Sequence, residues 1–242
     1  MCIRDRITDE LISHYEARAR GGIGMIIAEA ACVAEDGRLS EYQTGIWNED
    51  QMEGHRMLVS AAHKFKVPIL SQLHHAGIRT VSGRPASPSA FHGTLRGREY
   101  TADEMSEDEI LLREQQFIEA AVRARAAGYD GVELHCAHSY FLNAFLSPTV
   151  NHRTDRFGGN IEGRMRVVLD IMEGIRHSCG ENFLISVRLG FDEPDLESSA
   201  FMAGTFEKAG MDFLHVSTGF GSTGFMDERT MENPPDEFPF NI

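Results

Sequence analysis

The sequence has no apolar run approaching the roughly 18 residues that a membrane-spanning helix requires, and nothing in it resembles a secretory signal. Cysteine is sparse. Cys2, Cys32, Cys136 and Cys179 lie far apart with no paired spacing, so neither a disulfide framework nor a zinc site is expected, and reduced thiols point to a cytoplasmic protein. Basic residues are outnumbered, 23 Lys and Arg against 37 Asp and Glu. The resulting net charge of −14 argues against a nucleic-acid surface, which needs clustered cations. No G-x-G-x-x-G follows a strand and opens a helix, so a dinucleotide-binding Rossmann domain lacks its signature. Linkers and low-complexity tracts are absent too. What remains is a globular chain of 242 residues, 42% hydrophobic, long enough for a sizeable core and suited to a small-molecule substrate rather than to nucleic acid or membrane.

Apolar periodicity alternates along the chain. Thr8 caps a helix with Leu11, Ile12 and Tyr15 on one face, and "RGG" stops it before the strand-like "GMIIAEA". Asn48 and Gln51 form a capping pattern for a second helix, with Met52, Leu58, Val59 and Ala62 at helical spacing, and "VPILSQL" follows. Ser106 and Glu109 make a capping box for a third helix expected to bury Ile110, Phe117, Ile118, Ala121 and Val122; Gly128 ends it before "GVELH". Helices over about 161–178 and 197–209 precede "NFLISVRLG" and "MDFLHVSTG". Five units of helix then strand predict an α/β fold with a parallel sheet. Residues 1–6, "MCIRDR", carry neither period and read as a disordered or non-native start, and the tail "MDERTMENPPDEFPFNI" reads as loop.

The connections 74–105 and 137–160 both follow strands and therefore share one end of the sheet, where parallel α/β folds bind ligands. Glu29, Gln72, His135 and Arg188 fall at or near the ends of four different strands, a distribution expected of a (β/α)8 TIM barrel. Five strands are three short of eight, so the expectation is a single partial barrel domain over 1–242.

The stretch "VELHCAHSYFLNAFLSPTVNHRTDRFGG" places His135, His138 and Tyr140 where a buried strand ends. The two histidines admit three readings: metal ligands, for which no third ligand presents itself; rings satisfying turn carbonyls; or paired donors converging on one substrate oxygen. Tyr140 is a proton donor near neutral pH and a candidate general acid. Arg188 ends an apolar strand, where a cation either stabilises an anionic cofactor or substrate or forms an internal ion pair. Gln72 offers a donor and an acceptor, suited to the edge of a heterocycle or to a satisfied buried amide. "NHRTDRFGGN" reads as scaffolding, with Arg153 and Asp155 paired and Asn160 capping the next helix.

Taken together, "YEARARGGIGMIIAEA", "PILSQLHHAG", "AAGYDGVELHCAHSYFLNAFLSPTVNHRTDRFGGN" and "LISVRLG", in this order from about Ile7 to Gly219, resemble the old yellow enzyme family of flavin-dependent ene-reductases, within the NADH:flavin oxidoreductase group. The long third motif is the most specific. The bacterial branch, with relatives of dienoyl-CoA reductases and bile-acid oxidoreductases, is the more similar, because the yeast branch often carries Asn where His138 stands.

The resemblance implies a noncovalent FMN and NADH or NADPH as reductant. Gln72 would bind the flavin's pyrimidine edge, the backbone near Ala30 would face its reactive part, and Arg188 would lie by its anionic N1–C2=O region. His135 and His138 would hold the activating oxygen of an enone, enoate or enoyl thioester, and Tyr140 would protonate its α-carbon. Amine dehydrogenation, which some relatives with the "AHSY" loop perform, is the enzymatic alternative; a non-catalytic truncated fragment is the other. Three departures stand out: Gly163 replaces a usual Asn before Arg164, Ile78 follows Gly77 where many relatives carry Arg, with Arg79 next, and the first strand and the last two strands of the barrel are not found.

Overall fold

The computed structural model describes residues 5–95, 98–190 and 195–217, so Cys2, most of the expected disordered start and the loop-like tail lie outside the described residues. Asp5 and Arg6, assigned from sequence to that start, hydrogen bond to the chain: the Asp5 carboxylate accepts from Gln51 Nε2 at 2.7 Å and Arg6 donates to the Asp50 carbonyl.

Five helix–strand units follow one another: α1 (Asp9–Arg20) with β1 (Ile26–Cys32), α2 (Met52–His63) with β2 (Ile69–His74), and, after an excursion, α3 (Glu107–Ala127) with β6 (Gly131–Cys136). The excursion holds β3 (Ala86–Ser87), β4 (Phe91–Leu95) and β5 (Arg98–Glu104). Beyond a short helix α4 (Phe141–Leu146) come α5 (Ile161–Cys179) with β7 (Leu184–Gly190), and α6 (Leu196–Lys208) with β8 (Phe213–Ser217). The main sheet runs β1-β2-β6-β7-β8, each neighbour parallel. Its order follows the chain with no reversal. A doubly wound sheet reverses at a switch point; a sheet wound in one direction is what a barrel contains. The architecture is therefore α/β, five consecutive units of a (β/α)8 barrel, and among the described residues the sheet does not close.

Local chemistry explains the boundaries. Thr8 Oγ1 accepts from Leu11 N at the start of α1, the Asn48–Gln51 capping box leads into α2 through a 3₁₀ turn, and Ser106 and Glu109 cap α3 reciprocally. Gly128, at φ +97°, closes α3 with the left-handed cap that favours glycine. One expected core position is corrected: Val122 is 42% exposed. The buried stripe of α3 runs through Ile110, Glu114, Phe117, Ala121 and Ala124, and Val122 sits about 100° round from Ala121.

The core between helices and sheet is aliphatic and aromatic, with Phe117, Phe141, Phe145, Phe157 and Phe206 fully buried. A satellite cluster of Ile78, Ala102, Ala144 and Val150 joins the two long connections. The 74–105 connection is more than a loop, since β3, β5 and β4 form a small second sheet. Arg153 ties that sheet to the 137–160 connection, donating to the Pro88 and Met105 carbonyls at 2.9 and 2.6 Å while pairing with Asp155.

Candidate active site

Strand register stacks polar side chains in layers toward the carboxyl end of the sheet. Gln72 is level with Glu133, and Glu133 with Ser186; nearer the rim, His135 is level with Arg188, and Arg188 with His215. Alternate residues share a face, so His74 rises from the same side of β2 as Gln72.

Glu133 is fully buried and accepts from three groups: Gln72 Nε2 at 2.7 Å, Ser186 Oγ at 3.0 Å and His215 Nδ1 at 3.0 Å. Such a set satisfies a carboxylate that burial alone would penalise. Spending the Gln72 NH2 on Glu133 fixes the amide flip, leaving its carbonyl on the other side as an acceptor. Arg188 donates to Ser217 Oγ at 3.2 Å, while its buried Nε has no partner. Among the described residues no carboxylate pairs with Arg188, so the ion-pair reading of this cation has no partner to name. Ala30 sits where β1 slips register against β2 between Ala28 and Ala31, a bulge that re-aims the strand, and its carbonyl accepts from Gln43 Nε2 at 3.1 Å.

His135, His138 and Tyr140 come together. Ring centroids lie 5.0 Å apart for His135–His138, 5.1 Å for His135–Tyr140 and 6.4 Å for His138–Tyr140. The loop reaches this shape through two consecutive left-handed residues, His138 at φ 66° and Ser139 at φ 64°. Both are non-glycine, and such strain persists only when the surroundings hold it. Asn143 holds it: its Oδ1 accepts from Ser139 N at 2.7 Å, and its Nδ2 donates to the Cys136 carbonyl. Phe141 N donates to the His75 carbonyl at 3.1 Å, docking the loop on the turn after β2.

His135 and His74 are neutral near pH 7. His135 is held well below its usual range, first by burial and then by His74, His138 and Arg188. His74 is pushed down to about 3, again chiefly by burial. His135 Nδ1 accepts from Ala137 N at 3.4 Å, which puts the ring proton on Nε2. His138 differs from the expectation of a ready donor: its Nε2 is 2.6 Å from Ser217 Oγ, which also accepts from Arg188. Among the described residues no group of three metal-ligating side chains lies close enough to hold an ion.

Four more residues meet at the site; of these only Arg79 was noted from sequence, as the residue after Ile78, and it was given no role. His74 packs edge-on against Tyr140 at 4.4 Å, Arg79 stacks over the same ring at 4.9 Å, Glu133 anchors Gln72, and Ser217 links Arg188 to His138. For His74 and Glu133 a signal existed, because each lies two residues from a chosen residue on a strand and therefore on its face. Ser217 carried none.

The chain matches the model of the NADH:flavin oxidoreductase / NADH oxidase family over residues 3–217. It is 40% identical over 228 residues to an NADH oxidase of Thermoanaerobacter brockii, covering 88% of this chain and 34% of that protein. It is 36% identical over 212 residues to an NADPH dehydrogenase of Halalkalibacterium halodurans, covering 86% and 62%. This chain thus spans less than two thirds of either relative. Among solved structures, a 2-naphthoyl-CoA reductase complex superposes with TM-score 0.85 at 25% identity, over 90% of this chain and 36% of that one. An old yellow enzyme homologue from Zymomonas mobilis gives 0.80 at 29%, over 90% and 66%. No helix among the described residues is long and apolar enough to cross a membrane. On the match across most of its length, the chain belongs to the NADH:flavin oxidoreductase family that includes the old yellow enzymes.

Proposed function

We propose that the chain is the FMN-binding barrel portion of an NAD(P)H-dependent ene-reductase that acts on an activated C=C bond. The observation that carries this reading is the convergence of His135, His138 and Tyr140 beside a cation with an unmet buried N–H, Arg188. The residues fit an FMN. Arg188 offers an unpaired charge to the flavin's anionic edge, and Gln72, with its amide turned by Glu133, offers a carbonyl to a ring N–H. The bulge at Ala30 re-aims the end of β1, whose backbone would face the flat ring. FMN supplies the hydride when bound, and NADH or NADPH replenishes it.

The chain's own residues do the rest. His135 directs its Nε2 proton at the substrate oxygen, and a neutral imidazole polarises that oxygen without surrendering a proton. The substrate oxygen takes the place of Ser217 Oγ on His138 Nε2, so Ser217 marks where that oxygen lies. Tyr140, clamped by His74 and Arg79, delivers the proton to the α-carbon. The buried thiols of Cys32, Cys136 and Cys179, none of them in a disulfide, suit a reducing cytoplasm.

Flavin absorbance that stays with residues 1–242 after gel filtration, followed by turnover of an enone, tests the reading. Tyr140→Phe should slow the alkene-dependent half-reaction by about a hundredfold or more and the NAD(P)H-dependent half far less. Equal slowing of both halves removes Tyr140 from its role, and a colourless chain removes FMN binding.

A further inference from the structure

Arg79 carries a charge that nothing nearby neutralises. One of its N–H groups reaches the His138 carbonyl at 3.4 Å, a long bond, and its buried Nε has no partner. Among the described residues no carboxylate lies within ion-pair distance of it. Three other arginines of the long connections do have acids: Arg84 has Asp103 and Glu109, Arg153 has Glu104 and Asp155, and Arg156 has Glu107. His74 Nε2, beside the same tyrosine, is also buried without a partner; its Nδ1 accepts from Gln43, so Nε2 bears the proton. Two unmet N–H groups therefore flank the Tyr140 ring.

The placement of Arg79 is built, not incidental. The 3₁₀ turn Gly77–Arg79 begins at φ +61°, and a side chain at Gly77 would come within 2.9 Å of the Phe141 backbone. That close approach presses the turn against the Tyr140 loop. Ile78 is fully buried in the satellite cluster, which turns the following residue, Arg79, toward the loop. Thr80 Oγ1 secures the far side of the turn, donating to the Asp36 carbonyl at 2.6 Å. The order Ile78–Arg79 thus lays a cation over the proton donor, with its guanidinium carbon 4.9 Å from the ring centroid.

We propose that Arg79 is a specificity-determining residue that binds a carboxylate on the substrate, so that the preferred substrates are activated alkenes carrying a free acid. The inference rests on the ene-reductase reading above and names its substrate class. A planar carboxylate meets the Nε and Nη2 edge of a guanidinium with two parallel bonds and satisfies the buried Nε–H. A dedicated cation matters here, because a chain of net charge −14 gives anions no general attraction.

The test has two arms. In residues 1–242 without cofactor, the Arg79 Nε–H resonance, identified by its loss in Arg79→Lys, is followed during addition of 4-oxopentanoate, its methyl ester or adenosine 2′-monophosphate. The acid should shift the resonance and the ester should not. Equal shifts from acid and ester overturn the proposal, and so does a shift from the nucleotide alone, which would make Arg79 a phosphate reader. In the second arm, with FMN and NAD(P)H, KM for 4-oxopent-2-enoate should be about ten- to a hundredfold below that for its methyl ester, a ratio that collapses in Arg79→Gln and is partly kept in Arg79→Lys. A ratio near one in the unaltered chain overturns the proposal. Turnover of neither compound, with the acid-specific shift intact, sinks the reductase reading and leaves Arg79 as a carboxylate site.

Discussion

β6 and β8 are short apolar strands of one sheet, yet their surroundings differ. β6 lies between β2 and β7, and all six of its residues are buried. β8 has β7 on one side only among the described residues, and Phe213, Leu214 and Val216 are 41%, 42% and 54% exposed. The difference shows where the precision of the site comes from. Gln72, His135 and Arg188 stand on strands held along both edges, so neighbouring backbones fix their positions. His215 and Ser217, on the one-sided strand, lean back on Glu133 and Arg188 for theirs.

The sharpest way to break this contrast is one substitution made twice. Leu134→Ala in β6 should cost about 2–5 kcal/mol by urea denaturation, and Leu214→Ala in β8 less than about 1 kcal/mol. Similar losses at the two positions would mean that β8 is covered in solution. A smaller effect separates two arginines of the connections: Arg153→Ala, at a buried side chain bonded to two carbonyls, should cost about 2 kcal/mol, and Arg84→Ala, at an exposed pair, at most about 0.5 kcal/mol.

A third test lies behind β6, in the helix layer. Glu114 of α3 is pushed up from 4.5 to about 7, first by burial and then by Asp170 on α5; Arg156 and Arg166 oppose the rise, and Glu107 adds to it. A carboxyl whose folded pKa is raised favours folding while protonated, and that advantage fades as pH rises from about 4.5 through about 7. Glu114→Gln should therefore flatten the pH dependence of stability across that window and raise stability at pH 8 by about 1–2 kcal/mol, allowing for solvent screening. An unchanged slope would show that Glu114 ionises without penalty.

The helix–strand order was legible because each boundary carries its own chemistry, as at Ser106–Glu109 and Gly128. The small β3-β5-β4 sheet was not read from the sequence, although alternation on either side of Arg96–Gly97 is a hairpin signal. The histidine–tyrosine loop announced itself because polar rings are rare at the end of an apolar strand. Partnership stayed hidden: that Ser217 occupies His138, or that Glu133 turns Gln72, depends on residues 79 and 61 positions apart and on strand register. Val122 was misjudged because an apolar residue beside a helical stripe looks like one within it.

The left-handed torsions at His138 and Ser139 constrain inheritance as well as shape. A β-branched residue at either position would force the chain off its path, whereas Asn, Asp and His are the side chains most at home there after glycine.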